Sequence, residues 1–155
     1  QINVSDVIER AINFYKMSDK NLKFNFDNKL KNKNFISCDI DQLYRVFVNL
    51  IKNSIEAIDE KKRKNTNLLG KISLEIFTNN EYIVIKMLDN GSGFENTSDI
   101  LKPYFTTKKK VGGSGLGLAI VEKILFDHHA DFVMTNRNDG QTGAEVKITF
   151  GKIVL

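Results

Sequence analysis

A single cysteine, Cys38, stands in a chain of 155 residues, so no intrachain disulfide can staple the fold. That scarcity excludes the small disulfide-built scaffolds of secreted proteins and points to a reducing, cytosolic setting. No apolar run approaches the roughly eighteen residues that a membrane-crossing helix needs, which excludes a span of that kind. Internal repeats and low-complexity linkers are missing too. The chain opens on Gln1, without an initiator methionine or a signal-like apolar segment, and so has the appearance of a piece cut from something longer. Histidine is scarce: His128 and His129 are the only ones.

What is present suits one compact domain over residues 1–155. The composition is 41% hydrophobic and 27% charged, and a chain of this length buries most of its apolar surface without staples. A net charge of +4 favours anionic ligands but does not diagnose nucleic acid. Basic residues cluster at 61–64 and 108–110. A solvated loop explains the first cluster. The second lies between two glycine clusters, where a functional reading gains weight.

Apolar positions 7, 8, 11, 12 and 15 share one helical face, predicting a helix over 5–18 with Ser5 as its N-cap. Leu22, Phe24 and Phe26 alternate with polar residues like a half-buried strand, and residues 35–38 read as a second, short one. Asp39 or Asp41 caps the longest helix, whose apolar face runs from Leu43 to Ile58 and whose basic end, residues 61–64, suits its C-terminal dipole. Strands are expected at about 71–78 and 81–89, joined by a tight turn at Asn79-Asn80. A third helix spans about 114–128, and a closing hairpin pairs 131–137 with 143–150. The predicted fold class is α+β: a two-layer α/β sandwich. A mixed, largely antiparallel sheet of about five or six strands carries three main helices on one face.

Two glycine clusters dominate the pattern. Asp89-Asn90-Gly91-Ser92-Gly93-Phe94 ends an apolar strand, and Gly112-Gly113-Ser114-Gly115-Leu116-Gly117-Leu118 opens a helix. Glycines at such places let backbone N–H groups approach a ligand and set the positive end of a helix beside an anion, so a phosphate-bearing ligand is the first hypothesis. Asn49 and Asn53 lie four residues apart on one face of the long helix, among apolar neighbours. Read functionally, they offer neutral oxygens to a hard cation and its waters; read blandly, they are an exposed polar stripe. A partly buried Asp89 must find a donor, and the exocyclic amine of adenine suits it where the oxygen of guanine does not. An ordinary turn-forming aspartate is the bland alternative. Residues 95–113 form a long polar segment with Tyr104 and Phe105 as anchors and Lys108, Lys109 and Lys110 within reach of terminal phosphates.

Taken together, these residues resemble the catalytic and ATP-binding domain of a sensor histidine kinase, in the Bergerat-fold superfamily shared with the gyrase and MutL families. Asn49-Leu50-Ile51-Lys52-Asn53-Ser54 is similar to the N box, residues 89–94 to the G1 box, and residues 113–120 to the G2 box. Pro103-Tyr104-Phe105-Thr106-Thr107-Lys108, with Ile55-Glu56-Ala57-Ile58, looks most like the nitrogen-regulation sensors of the NtrY/NtrB type. The resemblance covers about residues 1–150. It implies ATP and Mg²⁺ as cofactors, with Asn53 ligating the metal and Asn49 supporting metal or phosphates. It implies Asp89 on the adenine amine, and Gly91 and Gly93 shaping the base pocket. Phe105 would pack an ATP lid over 95–113, and Lys108 would meet the terminal phosphates. Ser114, Gly115, Leu116, Gly117 and Leu118 would hold phosphates at the helix start.

By the same resemblance the γ-phosphoryl passes to a histidine on a separate dimerisation domain, and from there to the receiver domain of a response regulator. Residues 1–20 would follow the removed dimerisation part. The fragment itself would be monomeric and cytoplasmic, touching neither nucleic acid nor membrane, with anchoring of the full-length protein in the inner membrane left open. Asn49 stands where the hydrolases of the superfamily carry a general-base glutamate, and an amide cannot take a proton from water. That departure favours a kinase over a self-sufficient ATPase. Glu56 and Ala57 replace a basic and an aromatic residue frequent in the family, and Ala144 stands where a threonine is common near adenine. His128 and His129 lack the acidic residue and proline of an acceptor box and suit a helix C-terminus instead. A degenerate docking module and a serine kinase of the anti-sigma-factor kind are the remaining alternatives.

Overall fold

The computed structural model describes residues 1–30, 35–94 and 116–151. Stretches with apolar residues every three or four positions become helices, and stretches that alternate become strands. In chain order these are β1 (Ile2–Asn3), α1 (Val4–Ser18), β2 (Lys23–Asn28), β3 (Phe35–Ile36) and α2 (Ile40–Lys64), then β4 (Lys71–Asn79), β5 (Tyr82–Asp89), α3 (Leu116–Asp127), β6 (Asp131–Asn136) and β7 (Ala144–Gly151).

Five strands form one mixed sheet in the order β2-β4-β5-β7-β6, with β2 parallel to β4 and every other pair antiparallel. Alternate residues of these strands turn inward: Ile72, Leu74 and Ile76 on β4, Ile83, Ile85 and Met87 on β5, and Val146, Ile148 and Phe150 on β7 are all buried. They share one apolar core with Val7, Ile8 and Ala11 of α1, Phe47, Leu50 and Ile51 of α2, and Val121 and Leu125 of α3. Each such aliphatic side chain contributes about 1.5–3 kcal/mol of burial. Among the described residues, three helices over a five-stranded mixed sheet make the predicted α+β sandwich.

Four details differ from the sequence reading. Asn3, not Ser5, caps α1: its Oδ1 accepts the Ser5 N–H at 3.0 Å and the Ser5 hydroxyl at 2.7 Å. Ser5 already lies inside the helix as its second residue, and so is capped instead of capping. Asn3 also belongs to a two-residue strand with no sequence signature, because β1 exists only through its pairing with β3. That pairing takes β3 out of the main sheet and makes a separate two-stranded one. The β4–β5 turn falls on Asn80-Glu81, since Asn79 pairs with Tyr82 and Asn80 takes the positive φ, 54°. Asp39 is the cap of α2, accepting the Gln42 N–H at 2.9 Å.

The C-terminus of α3 is tied to the start of α2 by His128. Its Nδ1 lies 2.7 Å from the Ile124 carbonyl and must carry the proton there, which leaves Nε2 to accept the Asp39 N–H at 3.2 Å. His129 follows in the left-handed conformation, φ 56°, and its N–H donates to the Phe126 carbonyl. Both histidines thus close a helix, as expected of their position.

Candidate functional site

Asp89 is the last residue of β5, the central strand, and only 3% of it is exposed. Its Oδ1 accepts N–H groups from Gly91 at 2.9 Å and Ala144 at 3.2 Å, and the buried Ser54 hydroxyl of α2 donates to the same carboxylate. Burial pushes the carboxyl pKa up, and these donors, with the nearby Arg137 guanidinium, offset only part of that rise. The result is a desolvated, pre-oriented acceptor at a sheet end.

The glycines beside it are required sterically. A Cβ on Gly91 would lie 2.7 Å from the carbonyl carbon and the Cβ of Ala57, so the turn is pressed against α2. Ser92 N–H donates to the Ala57 carbonyl at 3.2 Å, sealing that contact. Ala57 is therefore small because a backbone passes over it. Gly93 has φ +70°, and a Cβ there would meet Asn136 Oδ1 at 2.7 Å. Asn136 holds Phe94 as a strand neighbour would, accepting its N–H at 2.7 Å and donating to its carbonyl at 2.9 Å.

Across the site, α2 presents Asn49 and Asn53, both half-buried rather than an exposed stripe. Asn49 Nδ2 donates to the Arg45 carbonyl at 2.8 Å, which turns its Oδ1 outward to the start of α3. There Gly117 lies against both amides: a Cβ on it would sit 3.0 Å from Asn49 Oδ1 and 4.0 Å from Asn53 Oδ1. Asn53 Nδ2 is buried with no hydrogen-bond partner among the described residues. A buried amide N–H donor left unpaired by the described residues fits a role toward acceptor oxygens of a ligand. Among the described residues no group of three or more His, Cys, Asp or Glu gathers as metal ligands. The donor set fits Mg²⁺, which takes few protein oxygens and completes its octahedron from phosphates and water. Leu118 is buried at 7% and anchors α3 in the core. Phe105, Lys108, Ser114 and Gly115 lie outside the described residues, as does the side chain of Leu116.

The structure therefore brings Asn49, Asn53 and Gly117 together, and separately Asp89, Gly91 and Gly93. It adds residues that the sequence reading passed over. Ser54 reads as one more member of the apolar face, yet it donates to Asp89. Gly143 has φ +136°, and a Cβ on it would fall 2.0 Å from the Asp89 carbonyl oxygen. Arg137 Nη1 donates to that oxygen at 3.0 Å, and Lys61 Nζ donates to the Asn90 carbonyl and to the Thr142 hydroxyl. A glycine immediately before the last strand was the available signal for Gly143. The two cations make contacts 48 and 29 residues away, which no local pattern encodes.

A two-layer sandwich that opens a glycine-bearing helix start beside helix-borne amides, with a buried carboxylate at the end of its central strand, defines a nucleotide-binding domain. The family described as "Histidine kinase-, DNA gyrase B-, and HSP90-like ATPase" matches residues 38–152, and the chain belongs to that family. It is 32% identical over 146 residues to a putative sensor histidine kinase NtrY-like of Rickettsia bellii, covering 93% of the chain and 22% of that protein. It is 36% identical over 107 residues to the nitrogen regulation protein NtrY of Azorhizobium caulinodans, covering 68% of the chain and 13% of that protein. The chain thus spans about a fifth or less of these relatives. In fold it matches the catalytic domain of the histidine kinase ThkA with a TM-score of 0.74 at 24% identity, covering 97% of the chain and 93% of that one. The mycobacterial sensor histidine kinase MprB matches with a TM-score of 0.79 at 16% identity, covering 99% of the chain and 97% of that one. Membership implies a nucleotide ligand. Among the described residues no helix is long and apolar enough to cross a membrane.

Proposed function

We propose that this chain is the Mg-ATP-binding half of a sensor histidine kinase, which supplies the γ-phosphoryl to a histidine on the dimerisation domain of the same protein for relay to a response-regulator receiver domain. The observation that carries the reading is the buried Asp89 carboxylate, fixed by Gly91, Ala144 and Ser54 at the end of the central strand. Such a group selects an adenine amine and rejects an acceptor in its place. Asn53 holds Mg²⁺ through its side-chain oxygen, with Asn49 beside it toward metal or phosphates. When bound, the ion offsets charge on the phosphates. The start of α3, with Gly117 packed against the amides, admits phosphates to the backbone N–H groups of its first turn. These residues bind and orient; the nucleophile comes from the partner domain, and catalysis is positioning and electrostatic stabilisation.

Asn49 supports transfer over hydrolysis. Its Nδ2 donates to the Arg45 carbonyl, and an amide so held has no proton-accepting role toward water. We place the domain in the cytoplasm, monomeric when isolated, in contact with neither nucleic acid nor membrane.

The fate of ATP tests the reading. The purified chain, mixed with Mg-ATP, is separated from free nucleotide while phosphate release is followed for hours. Intact ATP recovered on the protein is the expected outcome. Steady phosphate release that tracks the protein overturns the kinase reading in favour of a self-sufficient ATPase. Failure to retain nucleotide overturns it in favour of a docking module.

A further inference from the structure

Arg137 lies one residue beyond β6 in the β6–β7 hairpin, and only 12% of its side chain is exposed. Its guanidinium works along two edges. Nε and Nη2 hold the Asp139 carboxylate at 3.2 and 2.6 Å, a fork-to-fork pair that fixes the plane of the group. Nη1 then points to the main-chain oxygen of Asp89 at 3.0 Å. The Arg137 N–H donates to the Gly143 carbonyl at 2.9 Å and so closes the hairpin itself, while the side chain ties that hairpin to the end of β5. The same Asp89 oxygen sits where a Cβ of Gly143 would be, 2.0 Å from that position. The Asp89 peptide oxygen is thus approached too closely by the Gly143 backbone to admit a side chain there, and it also receives a charged donor.

The next oxygen in the chain is treated alike. Lys61, from the last turn of α2, donates through Nζ to the Asn90 carbonyl at 3.4 Å and to the Thr142 hydroxyl. Consecutive carbonyls of the turn therefore each receive one cation, one from the hairpin and one from the helix. The peptide plane of Asp89 sets where its Cβ points, and hence where the carboxylate meets the base. Neither cation bonds to the carboxylate oxygens among the hydrogen bonds described, so their action on it runs through the backbone and through their field.

We propose that Arg137 is a positioning residue for base recognition, holding the Asp89 peptide so that its carboxylate reads the amine of the purine, with Lys61 bracing the following carbonyl. The proposal rests on the reading of Asp89 as the adenine acceptor. It assigns the β6–β7 hairpin a share in base selectivity. That hairpin lies far in sequence from the glycine cluster it supports.

The test compares two ligands on the purified chain by titration calorimetry: ADP, and the purine riboside 5′-diphosphate that lacks only the 6-amino group. Arg137→Gln should weaken ADP roughly tenfold while leaving the amine-free analogue within about twofold, because only the amine uses the carboxylate's placement. Arg137→Lys keeps the charge and one donor but loses the fork, and should recover most of the ADP affinity. Lys61→Met should reduce ADP selectively and by less. Equal losses for both ligands, or ADP affinity unchanged in Arg137→Gln, overturn the proposal. Should Arg137→Gln fail to fold, a Lys61→Met that binds both ligands like the parent chain, or an Arg137→Lys that weakens both ligands equally, overturns it as well. Asp89→Asn separates the two levels. If it fails to weaken ADP selectively, the adenine reading itself falls; if it succeeds where Arg137→Gln does not, only the role of Arg137 falls.

Discussion

Replacing Asp89 by asparagine should move binding and stability in opposite directions. Asparagine keeps an oxygen for the Gly91 and Ala144 N–H groups, which lie 2.9 and 3.2 Å from Asp89 Oδ1, but it loses the charge. A hydrogen bond to a charged acceptor contributes about 1.5–3 kcal/mol, so ATP affinity should fall roughly ten- to a hundredfold. Stability responds to a different quantity. Burial raises the Asp89 pKa above its ordinary 3.8, so the folded chain holds the proton more tightly than the unfolded chain does. Stability therefore falls as pH rises through the window between 3.8 and the raised value, and the ionised group carries the full cost above it. Asparagine carries no such cost. Asp89→Asn should match or exceed the parent in urea unfolding near pH 7, and the difference should shrink as pH falls toward 3.8. ATP titrations and urea melts at several pH values read both effects. Near-normal ATP affinity would remove Asp89 from the base site. A variant less stable than the parent at every pH, by a constant amount, would refute the desolvation argument.

Four further substitutions separate neighbouring roles. Asn53→Ala should weaken ATP binding more with Mg²⁺ than in chelator, and equal losses in both would end its assignment as a metal ligand. Gly91→Ala forces a Cβ to 2.7 Å from the Ala57 backbone, and should cost about 1–3 kcal/mol, or roughly 3–10 °C in Tm; an unchanged Tm contradicts the close approach. Gly117→Ala places its Cβ closest to the Asn49 side-chain oxygen, at 3.0 Å, and gains about 0.5–1 kcal/mol of helix propensity. It should hold or raise Tm while lowering ATP affinity, and unaltered ATP binding counts against the site. His128→Ala removes the bonds to Asp39 and Ile124 and should cost about 0.5–1.5 kcal/mol with ATP affinity intact. A large loss of ATP binding there would mean His128 does more than close a helix.

The helices and hairpins were legible because their apolar periods match the burial that resulted: Leu43 through Ile58 lie on one face of α2, and alternate residues of β4 face the core. The geometry of the candidate site was legible where short-range chemistry marks it. Glycine beside Asp89 and the four-residue spacing of Asn49 and Asn53 each carry their reason locally. What escaped was non-local. β1 is two residues long and takes its conformation from Phe35 and Ile36, more than thirty positions away. Asn3 is an unremarkable polar residue until its oxygen is seen to accept from Ser5. Ser54 reads as part of an apolar face because a serine is small enough to belong there, and only the arrival of β5 gives its hydroxyl a partner. Arg137 and Lys61 act on carbonyls that no spacing rule ties to them.

The central place of β5 has a consequence for hydrogen exchange. Its amides and carbonyls are paired with β4 on one side and β7 on the other along nearly its whole length. Strands of that kind exchange their amide protons only through global opening, whereas helix ends exchange through local fraying. The carboxylate proposed to read the base is thus carried by a segment that nucleotide has little scope to protect further, while the first turn of α3 has ample scope. Deuterium uptake with and without ADP should leave β5 almost unchanged until the chain unfolds as a whole and slow the amides at the start of α3, so that one labelling series resolves the two halves of the site.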